Sequence, residues 1–281
     1  MMHKIAIISD IHGNLTALEA VLADAITQNV TEYWVLGDLF MIGPGSAELL
    51  NQLRNLPNVT FIKGNWDYAF LNAPFSDFND PTNVYGSTLA KYHYEQLDED
   101  AITFIRKMPD LLIKEIHGFK FLLCHHLPNK MYGGDLMPYE DQANFDLLFT
   151  DHQVDVAVYG HIHRQLMRYS RTGQLIINPG SVYPYTVATD SEKRHLGTKA
   201  RYAMIEIDEA GIGDILFKKV AYDLEKEIAF AKACNLPYAD FYAEGLRMGK
   251  SYTHNKEILK QVNEQRGYQE EIMTYFNRGE K

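Results

Sequence analysis

Short apolar runs alternate with amphipathic stretches along the first half of the chain. This alternation is typical of β-strands covered by α-helices. Apolar runs predict strands at Lys4–Ser9, Tyr33–Leu36 and Val59–Ile62. Between them, helices are predicted at Leu15–Thr27 and at Ser46–Asn55, because their apolar residues recur on one face and a serine opens the second helix as a plausible cap.

A second set of strands follows an insertion, Asp67–Pro109, which begins loop-rich and becomes helical. These strands are predicted at Leu111–Ile116, Lys120–Cys124, Val154–Tyr159, Leu175–Asn178, Arg201–Ile207 and Asp214–Ala221. A further helix is predicted near Glu140–Phe149, and the charged run Asp190–Arg194 is predicted to be a solvated loop. The pattern therefore predicts an α/β protein with two sheets and outer helices. Residues 1–223 would form one domain, and residues 224–281 a helical extension packed on it.

Composition narrows the classes of function. The formal net charge of −10 argues against broad nucleic-acid binding, which depends on Lys and Arg surfaces. The apolar run at Ile5–Ile8 is too short for a signal peptide, and no later run reaches the length of a membrane span. Cys124 and Cys234 lie in a predicted strand and helix, so a disulfide framework is not expected. We therefore expect a cytoplasmic protein that does not bind membranes.

Polar residues that can bind metals follow five of the predicted strands, where loops can converge on one site. Each place alone has an ordinary reading as a helix cap, a turn or a structural histidine. Together they form an ordered set of carboxylate, amide and imidazole groups, which suits Mn, Fe, Zn or Co. The five places are Asp10-Ile11-His12, Gly37-Asp38, Gly64-Asn65-Trp66-Asp67, His125-His126 and Gly160-His161-Ile162-His163.

On these motifs the sequence resembles the calcineurin-like metallophosphoesterase superfamily from about Lys4 to Asp223. The segments Gly37–Pro44 and Ile177–Val182 are similar to signatures of its bacterial branch of diadenosine-tetraphosphatase-like phosphodiesterases. The resemblance implies a four-layer α/β/β/α sandwich of two mixed sheets. It also implies hydrolysis of phosphodiesters or nucleoside polyphosphates, such as diadenosine tetraphosphate, by a hydroxide held between two divalent metal ions.

The resemblance assigns a role to each matching residue. Asp38 would bridge the two ions, and Asn65 would offer a neutral oxygen that keeps them electrophilic. The implied ligands are Asp10, His12, Asp38 and His163 for one ion and Asp38, Asn65, His125 and His161 for the other.

Trp66 is a departure from many members of the superfamily, which have a histidine there that protonates the leaving oxygen. An indole N–H cannot do this usefully. Either hydrolysis is restricted to good leaving groups, or His126 supplies the proton.

Candidate substrate contacts are Trp66, Arg164 and Tyr183, and each has an alternative reading as a surface residue. Tyr183-Pro184 follows Val182 where the branch commonly has a glycine and an arginine, which puts a family phosphate-binding arginine in doubt. Phe40 and Tyr132 also lie in predicted site loops, so an aromatic surface for stacking a nucleobase is a further hypothesis. The segment Asn178–Val182 is either a rigid loop near the site or a purely structural turn.

Two other functions remain open at this point. One is a protein serine/threonine phosphatase, which Trp66 makes less favourable because a serine alkoxide is a poor leaving group. The other is a non-catalytic metal-binding scaffold. The expected partner is a small phosphoester or nucleotide, and a homo-oligomer is possible. The sequence does not decide whether the carboxy-terminal helices cap the site, form an oligomer contact or pack on a sheet, nor whether the insertion is a lid.

Overall fold

The computed structural model describes residues 2–150, 152–184 and 199–277. Within them the strands are β1 (His3–Ile8), β2 (Glu32–Val35), β3 (Val59–Phe61), β4 (Leu111–Ile116), β5 (Phe119–Cys124), β6 (Val156–Tyr159), β7 (Gln165–Tyr169), β8 (Leu175–Pro179), β9 (Ala200–Asp208) and β10 (Gly211–Val220). The α-helices are α1 (Leu15–Thr27), α2 (Ala47–Arg54), α3 (Asn65–Asn72), α4 (Pro81–Tyr94), α5 (Glu99–Lys107), α6 (Gln142–Asp146), α7 (Leu224–Ala233), α8 (Ala239–Met248), α9 (Lys256–Arg266) and α10 (Tyr268–Phe276).

The strands form two five-stranded sheets, in the orders β10-β9-β1-β2-β3 and β4-β5-β6-β8-β7. Both sheets are mixed. In the first, β1 and β3 run parallel to β2 whereas β9 is antiparallel to both of its neighbours. In the second, β5, β6 and β8 run parallel, and β4 and β7 are antiparallel edge strands.

Alternate residues of each strand face different layers. In β1, Ile5 and Ile7 pack between the two sheets, whereas Ala6 and Ile8 pack under the helices. The same alternation in β5 sends Phe121 and Leu123 to the middle layer and Leu122 and Cys124 to the opposite outer layer, where Phe145 and Leu148 cover them. Each sheet is therefore covered by helices on its outer face. The predicted sandwich of two mixed sheets flanked by helices is confirmed.

Most predicted elements lie within two residues of the observed ones. One strand, Gln165–Tyr169, was not predicted. It lies at the edge of its sheet, and its polar and exposed residues leave no continuous apolar run in the sequence. The helix predicted near Glu140–Phe149 is shorter, because α6 begins at Gln142 and gives way to a 3₁₀ turn at Leu147–Phe149. The charged run predicted as a loop at residues 190–194 lies outside the described residues.

The prediction that the Ser46 side chain caps α2 is wrong. Ser46 precedes the helix, but its hydroxyl makes no capping hydrogen bond. It pairs instead with Nδ1 of His93, a fully buried residue of α4 whose Nε2 accepts a hydrogen bond from the backbone N–H of Met41 at 3.2 Å. The Ser46 hydroxyl thus joins α2 to the insertion.

The carboxy-terminal helices pack on the rest of the chain. Helix α7 lies against α1, and α9 and α10 lie against α4 of the insertion. The buried Glu227 carboxylate fixes this arrangement, because it accepts hydrogen bonds from the Thr16 backbone N–H and from the Tyr242 hydroxyl, each at 2.9 Å. No helix in the described part of the chain is both long and apolar enough to cross a bilayer.

Candidate metal centre

The metal-capable residues predicted at the strand ends lie together in the structure. Strands β1, β2 and β3 are parallel, as are β5 and β6, so in each sheet the carboxyl ends of these strands lie at one edge. Side chains that follow these strands form two groups, and within each group the potential ligand atoms lie within 4.8 Å of one another. The groups are Asp10, His12 and His163, and Asp38, His125 and His161.

In the first group, His163 Nε2 lies 3.1 Å from Asp10 Oδ1 and 3.2 Å from His12 Nε2. His12 Nε2 is also 3.6 Å from Asp38 Oδ2. The first group therefore borders the second through the Asp38 carboxylate.

In the second group, His125 Nε2 lies 3.4 Å from Asp38 Oδ2 and 3.1 Å from Asn65 Oδ1. The imidazoles of His12 and His125 thus approach the same oxygen of Asp38. This places Asp38 between the groups and Asn65 beside the second.

These distances fit divalent cations. Two ligands of one cation, each at the usual 2.0–2.2 Å, lie about 3.0–3.5 Å apart, depending on the coordination angle. In addition, the Asp10 carboxylate is fully buried, which is costly unless positive charge or hydrogen bonds compensate it. The mixed nitrogen and oxygen donors therefore fit first-row divalent metals.

The electrostatics of the two groups favour bound positive charge. Burial lowers the pKa of His12 to about 4 and of His161 to about 3, so both imidazoles are neutral at pH 7 and can offer a lone pair. Burial also acts to lower the pKa of His125, but the charges of Asp38 and Asp10 and a hydrogen bond outweigh it and raise the pKa to about 10. The two carboxylates therefore hold a cation strongly, whether a proton or a metal.

The orientation of His125 is fixed by the backbone. Its Nδ1 donates to the carbonyl oxygen of Leu36 at 2.6 Å. Nε2 is then directed towards Asp38 and Asn65, as expected for a histidine whose second nitrogen binds a metal.

Backbone strain is concentrated in these same residues. Non-glycine residues rarely adopt positive φ, and each such residue costs roughly 1–3 kcal/mol. Five of the six residues in the two groups do so, with φ between 51° and 61°: Asp10, His12, Asp38, His161 and His163. The fold thus gives up stability to aim these side chains, which is typical of a functional site.

Asp67 is a site residue whose role the sequence did not reveal. Its Oδ2 accepts hydrogen bonds from the N–H groups of Asp38 and Gly64 at 2.9 Å, and its Oδ1 accepts one from Leu39 at 3.0 Å. Burial first, and then the charge of Asp38, raise the pKa of Asp67 to about 7. Asp67 therefore holds the loops after β2 and β3 together. A sequence signal for this role was available, because Asp67 is a carboxylate at the third position of α3, the helix that begins at Asn65.

Gly64 allows these two loops to approach. A Cβ atom at this position would lie 2.2 Å from Asp38 Oδ1, which no side chain can accommodate. The glycine before Asn65 is thus required by the position of Asp38.

The segment Asn178–Val182 lies beside the first group and contacts its backbone. Asn178 Nδ2 donates to the Gly160 carbonyl at 2.7 Å, and the Val182 N–H donates to the Ser9 carbonyl at 3.0 Å. These bonds join the ends of β1 and β6, from which Asp10 and His161 project. The contacts of Asn178–Val182 therefore help to position Asp10 and His161.

A cavity of about 310 Å³ opens onto both groups. His12, Asp38 and His163 line one side of it. Trp66 and Tyr183, two of the three predicted substrate contacts, also line it. The Trp66 backbone N–H donates to Asp38 Oδ1 at 2.8 Å, which fixes this residue next to the carboxylate.

His126 and Arg164 are not among the described residues that line the cavity. His126 is fully buried, with its ring 5.0 Å from that of His161, and burial lowers its pKa to about 4. Arg164 is partly buried. Their roles as proton donor and substrate contact stay predictions.

Phe40 and Tyr132, which were predicted to contribute to an aromatic surface at the site, do not do so. Phe40 is fully buried and packs against Phe70 and His93, whereas the Tyr132 side chain is 66% exposed. Neither lines the cavity in the described part of the chain. Phe40 is directed into the core because it follows a buried strand and belongs to the cluster beneath the helices.

The carboxy-terminal extension forms the other side of the cavity. Phe241 and Tyr242 of α8 line it, as do Tyr252 and Thr253 of the segment before α9. Tyr85 of the insertion also contributes. Residues of the carboxy-terminal extension thus line the cavity beside the site, which is consistent with the role of a cap.

Two mixed sheets carrying paired imidazole and carboxylate groups at their strand ends define an α/β protein with two candidate metal-ligand groups. Residues 2–209 match the model of the calcineurin-like phosphoesterase superfamily domain. The chain therefore belongs to the calcineurin-like phosphoesterase superfamily.

Similar proteins agree with this placement. An uncharacterised protein of Methanocaldococcus jannaschii is 26% identical over 264 residues, which covers 88% of this chain and 98% of that protein. The symmetrical bis(5'-nucleosyl)-tetraphosphatase of Serratia proteamaculans is 30% identical over 123 residues, 42% of this chain and 41% of that enzyme. A metallophosphoesterase from Sphaerobacter thermophilus has the same fold, with a TM-score of 0.66 and 24% identity over 89% of this chain and all of that one.

Proposed function

We propose that the protein is a dinuclear metal-dependent phosphoesterase that hydrolyses phosphodiesters or nucleoside polyphosphates. The observation that carries the proposal is the position of Asp38 between two groups of nitrogen and oxygen donors at one side of a cavity. Membership of the superfamily supports phosphoester hydrolysis. The similarity to a bis(5'-nucleosyl)-tetraphosphatase supports nucleotides such as diadenosine tetraphosphate as the substrate class.

Each donor group would hold one divalent ion of Mn, Fe, Zn or Co. The proposed ligands are Asp10, His12, Asp38 and His163 for the first ion and Asp38, Asn65, His125 and His161 for the second. Bound cations of this kind polarise phosphoryl oxygens and acidify water, so that no protein nucleophile is required. The chain's own contribution is to position the donors, with Asp38 shared and His125 oriented by the Leu36 carbonyl.

Trp66 restricts the leaving groups that can be released at a high rate. It lies beside Asp38, and its indole N–H is a hydrogen-bond donor that cannot usefully protonate a departing alkoxide. His126, the other candidate acid, is buried behind His161. Substrates with leaving groups that depart without protonation, such as a nucleotide phosphate or an aryl oxide, are therefore preferred over alkyl esters.

The two-sided shape of the site favours a small substrate over a phosphoprotein. The cavity has metal-capable residues on one side and the carboxy-terminal extension on the other. We accordingly propose residues 1–223 as the catalytic domain and residues 224–281 as an extension that restricts access. The formal charge of −10 supports the proposed lack of stable nucleic-acid binding, and the free cysteines Cys124 and Cys234 support the proposed cytoplasmic location.

The experiment that tests the function combines metal content with turnover. Protein freed of metal is reloaded separately with Mn, Fe, Zn and Co and assayed on bis(p-nitrophenyl) phosphate and diadenosine tetraphosphate. We expect about two ions per chain and metal-dependent hydrolysis, both reduced in Asp38→Asn but not in Asp141→Asn, which removes an exposed carboxylate from the start of α6. Two bound ions with no hydrolysis of either substrate would instead support a metal-binding scaffold.

A further inference from the structure

Six aromatic residues line the cavity, some beside the metal-capable groups and others opposite them. Three belong to the carboxy-terminal extension, and three come from loops and helices of the first 223 residues. They are Phe241, Tyr242 and Tyr252, and Trp66, Tyr85 and Tyr183.

The rings of the extension are held in place. Phe241 and Tyr252 stack with a centroid distance of 4.0 Å and an interplanar angle of 15°. The Tyr252 hydroxyl donates to the Glu244 carboxylate, and the Tyr242 hydroxyl donates to the buried Glu227 at 2.9 Å. These rings are therefore positioned before any ligand arrives, which lowers the entropic cost of binding.

Two glycines make room for the tyrosines. A Cβ atom at Gly245 would lie 2.5 Å from the hydroxyl oxygen of Tyr183, and one at Gly43 would lie 2.8 Å from that of Tyr242. Helix α8 can therefore approach the loops of the first domain closely enough to enclose the space between them.

The aromatic part of the cavity carries little net charge. Lys250 is the one lysine or arginine among the described residues that line the cavity, and its Nζ is neutralised by Glu244 at 2.9 Å. Ser251 and Thr253 add uncharged hydroxyl groups. The surroundings thus suit a flat, neutral group with a few polar atoms, rather than a second phosphate.

We propose that this aromatic wall is a binding subsite for a neutral ring of the substrate, such as a nucleobase or an aryl group, and that it determines specificity. The inference rests on the proposed function for the position of the phosphoryl group, which would lie at the metal-capable residues. A cavity of about 310 Å³ is at the lower end of ligand sites, so it accommodates one ring system rather than both ends of a dinucleotide.

The first test measures binding without metal or catalysis. Trp66 lines the cavity, whereas Trp34, the second of the two tryptophans, is buried between the sheets. Quenching of tryptophan fluorescence in metal-free protein is therefore titrated with adenosine, ribose and hexanol, and Trp66→Phe verifies the origin of the signal. We expect adenosine to bind, with ribose and hexanol at least tenfold weaker.

Variants then locate the binding. Tyr252→Leu and Phe241→Leu keep apolar volume but remove a ring, so each should weaken adenosine binding by roughly tenfold, as expected for one lost ring contact. Tyr169→Leu, at a residue of β7 that is 61% exposed, is the matched control and should leave binding unchanged. Urea unfolding verifies that each variant folds. If one of the two leucine variants does not fold, the other still tests the subsite.

A second readout separates this inference from the proposed function. With manganese, the ratio of kcat/KM for bis(p-nitrophenyl) phosphate to that for methyl p-nitrophenyl phosphate should fall about tenfold in Tyr252→Leu and stay constant in Tyr169→Leu. Adenosine binding that is sensitive to Tyr252 supports the subsite even if no ester is hydrolysed. Equal binding of adenosine and hexanol, or folded leucine variants with unchanged binding and an unchanged ratio, would overturn the subsite even in an active enzyme.

Discussion

Replacing Asp67 by asparagine tests how the two loops that carry Asp38 and Asn65 are held. The Asp67 carboxylate accepts three backbone hydrogen bonds, from Asp38, Leu39 and Gly64. An asparagine side chain has a single oxygen. Even in its best orientation, with that oxygen towards Asp38 and Gly64, its amide group would face the N–H of Leu39.

The magnitude follows from these contacts. Leaving one buried N–H without an acceptor costs about 1–3 kcal/mol. The two remaining bonds lose the assistance of a charge, which roughly halves the strength of each. Removing the buried charge offsets these losses in the free energy of unfolding, because the raised pKa of Asp67 means that the folded protein disfavours the ionised carboxyl. The lost anchor is therefore expected in the rate of hydrolysis, where about 1–3 kcal/mol lost in the positioning of Asp38 corresponds to roughly 5- to 150-fold.

Metal-dependent hydrolysis at pH 8 is the appropriate assay, because the Asp67 carboxyl, with its pKa of about 7, is then mainly ionised. Urea unfolding verifies that the variant folds. Asp141→Asn is the matched control, since it removes the same charge from an exposed residue whose side chain makes no capping hydrogen bond. The rate of hydrolysis should fall by this factor in Asp67→Asn, because Asp38 loses its anchor. A folded variant that keeps at least half of the native rate would refute the assignment of Asp67 as the tie between the loops.

Three further outcomes are expected. Removing metal with EDTA should lower Tm by roughly 5–10 °C, and excess Mn should restore it, because a ligand at 100 times its Kd stabilises the fold by about 2.7 kcal/mol. An unchanged Tm would contradict the proposal that the residues with positive φ bind a cation. Trp66→His should speed hydrolysis of an alkyl ester by roughly tenfold or more and that of bis(p-nitrophenyl) phosphate little, and an equal gain in both would show that the proton donor is not the limit. Burial lowers the pKa of His93 from 6.5 to about 3, so the unfolded chain takes up a proton there at pH values where the folded protein does not. The share of stability that depends on neutral His93 is therefore lost as pH falls below 6.5, by about 1.4 kcal/mol at pH 5.5, in addition to the shares of the other buried histidines. His93→Gln keeps an acceptor for the Met41 N–H and should remove this loss, as measured by urea unfolding at pH 7.5 and 5.5, whereas identical pH dependence in both proteins would disprove it.

The layered fold was predictable because its strands are short apolar runs that end at polar residues. Strands β1 and β5 are buried on both faces, which leaves continuous hydrophobic runs in the sequence. Strand β7 was not predictable in this way. Its side chains at Met167 and Tyr169 are exposed, so its pairing with β8 depends on backbone hydrogen bonds that leave no apolar pattern.

The metal-capable residues were predictable for a related reason. Parallel strands bring their carboxyl ends to one edge, so ligands separated by more than a hundred residues can be grouped from local patterns alone. The supporting contacts could not be grouped in this way. Asp67 and Gly64 act on the backbone of Asp38, and the pairing of Ser46 with His93 depends on how the insertion packs.

The aromatic wall was beyond the reach of local patterns because its two halves come from distant parts of the chain. Phe241 and Tyr252 lie outside residues 2–209, the part that matches the superfamily model. Glu227 couples this outer part to the site, since it binds both the start of α1, a few residues after His12, and the Tyr242 hydroxyl of α8. The part that matches the superfamily model thus provides the metal-capable groups, while residues outside that part face them across the cavity. Substrate selectivity should accordingly vary among relatives with the sequence of α8 and the segment after it, even where every metal-capable side chain is the same.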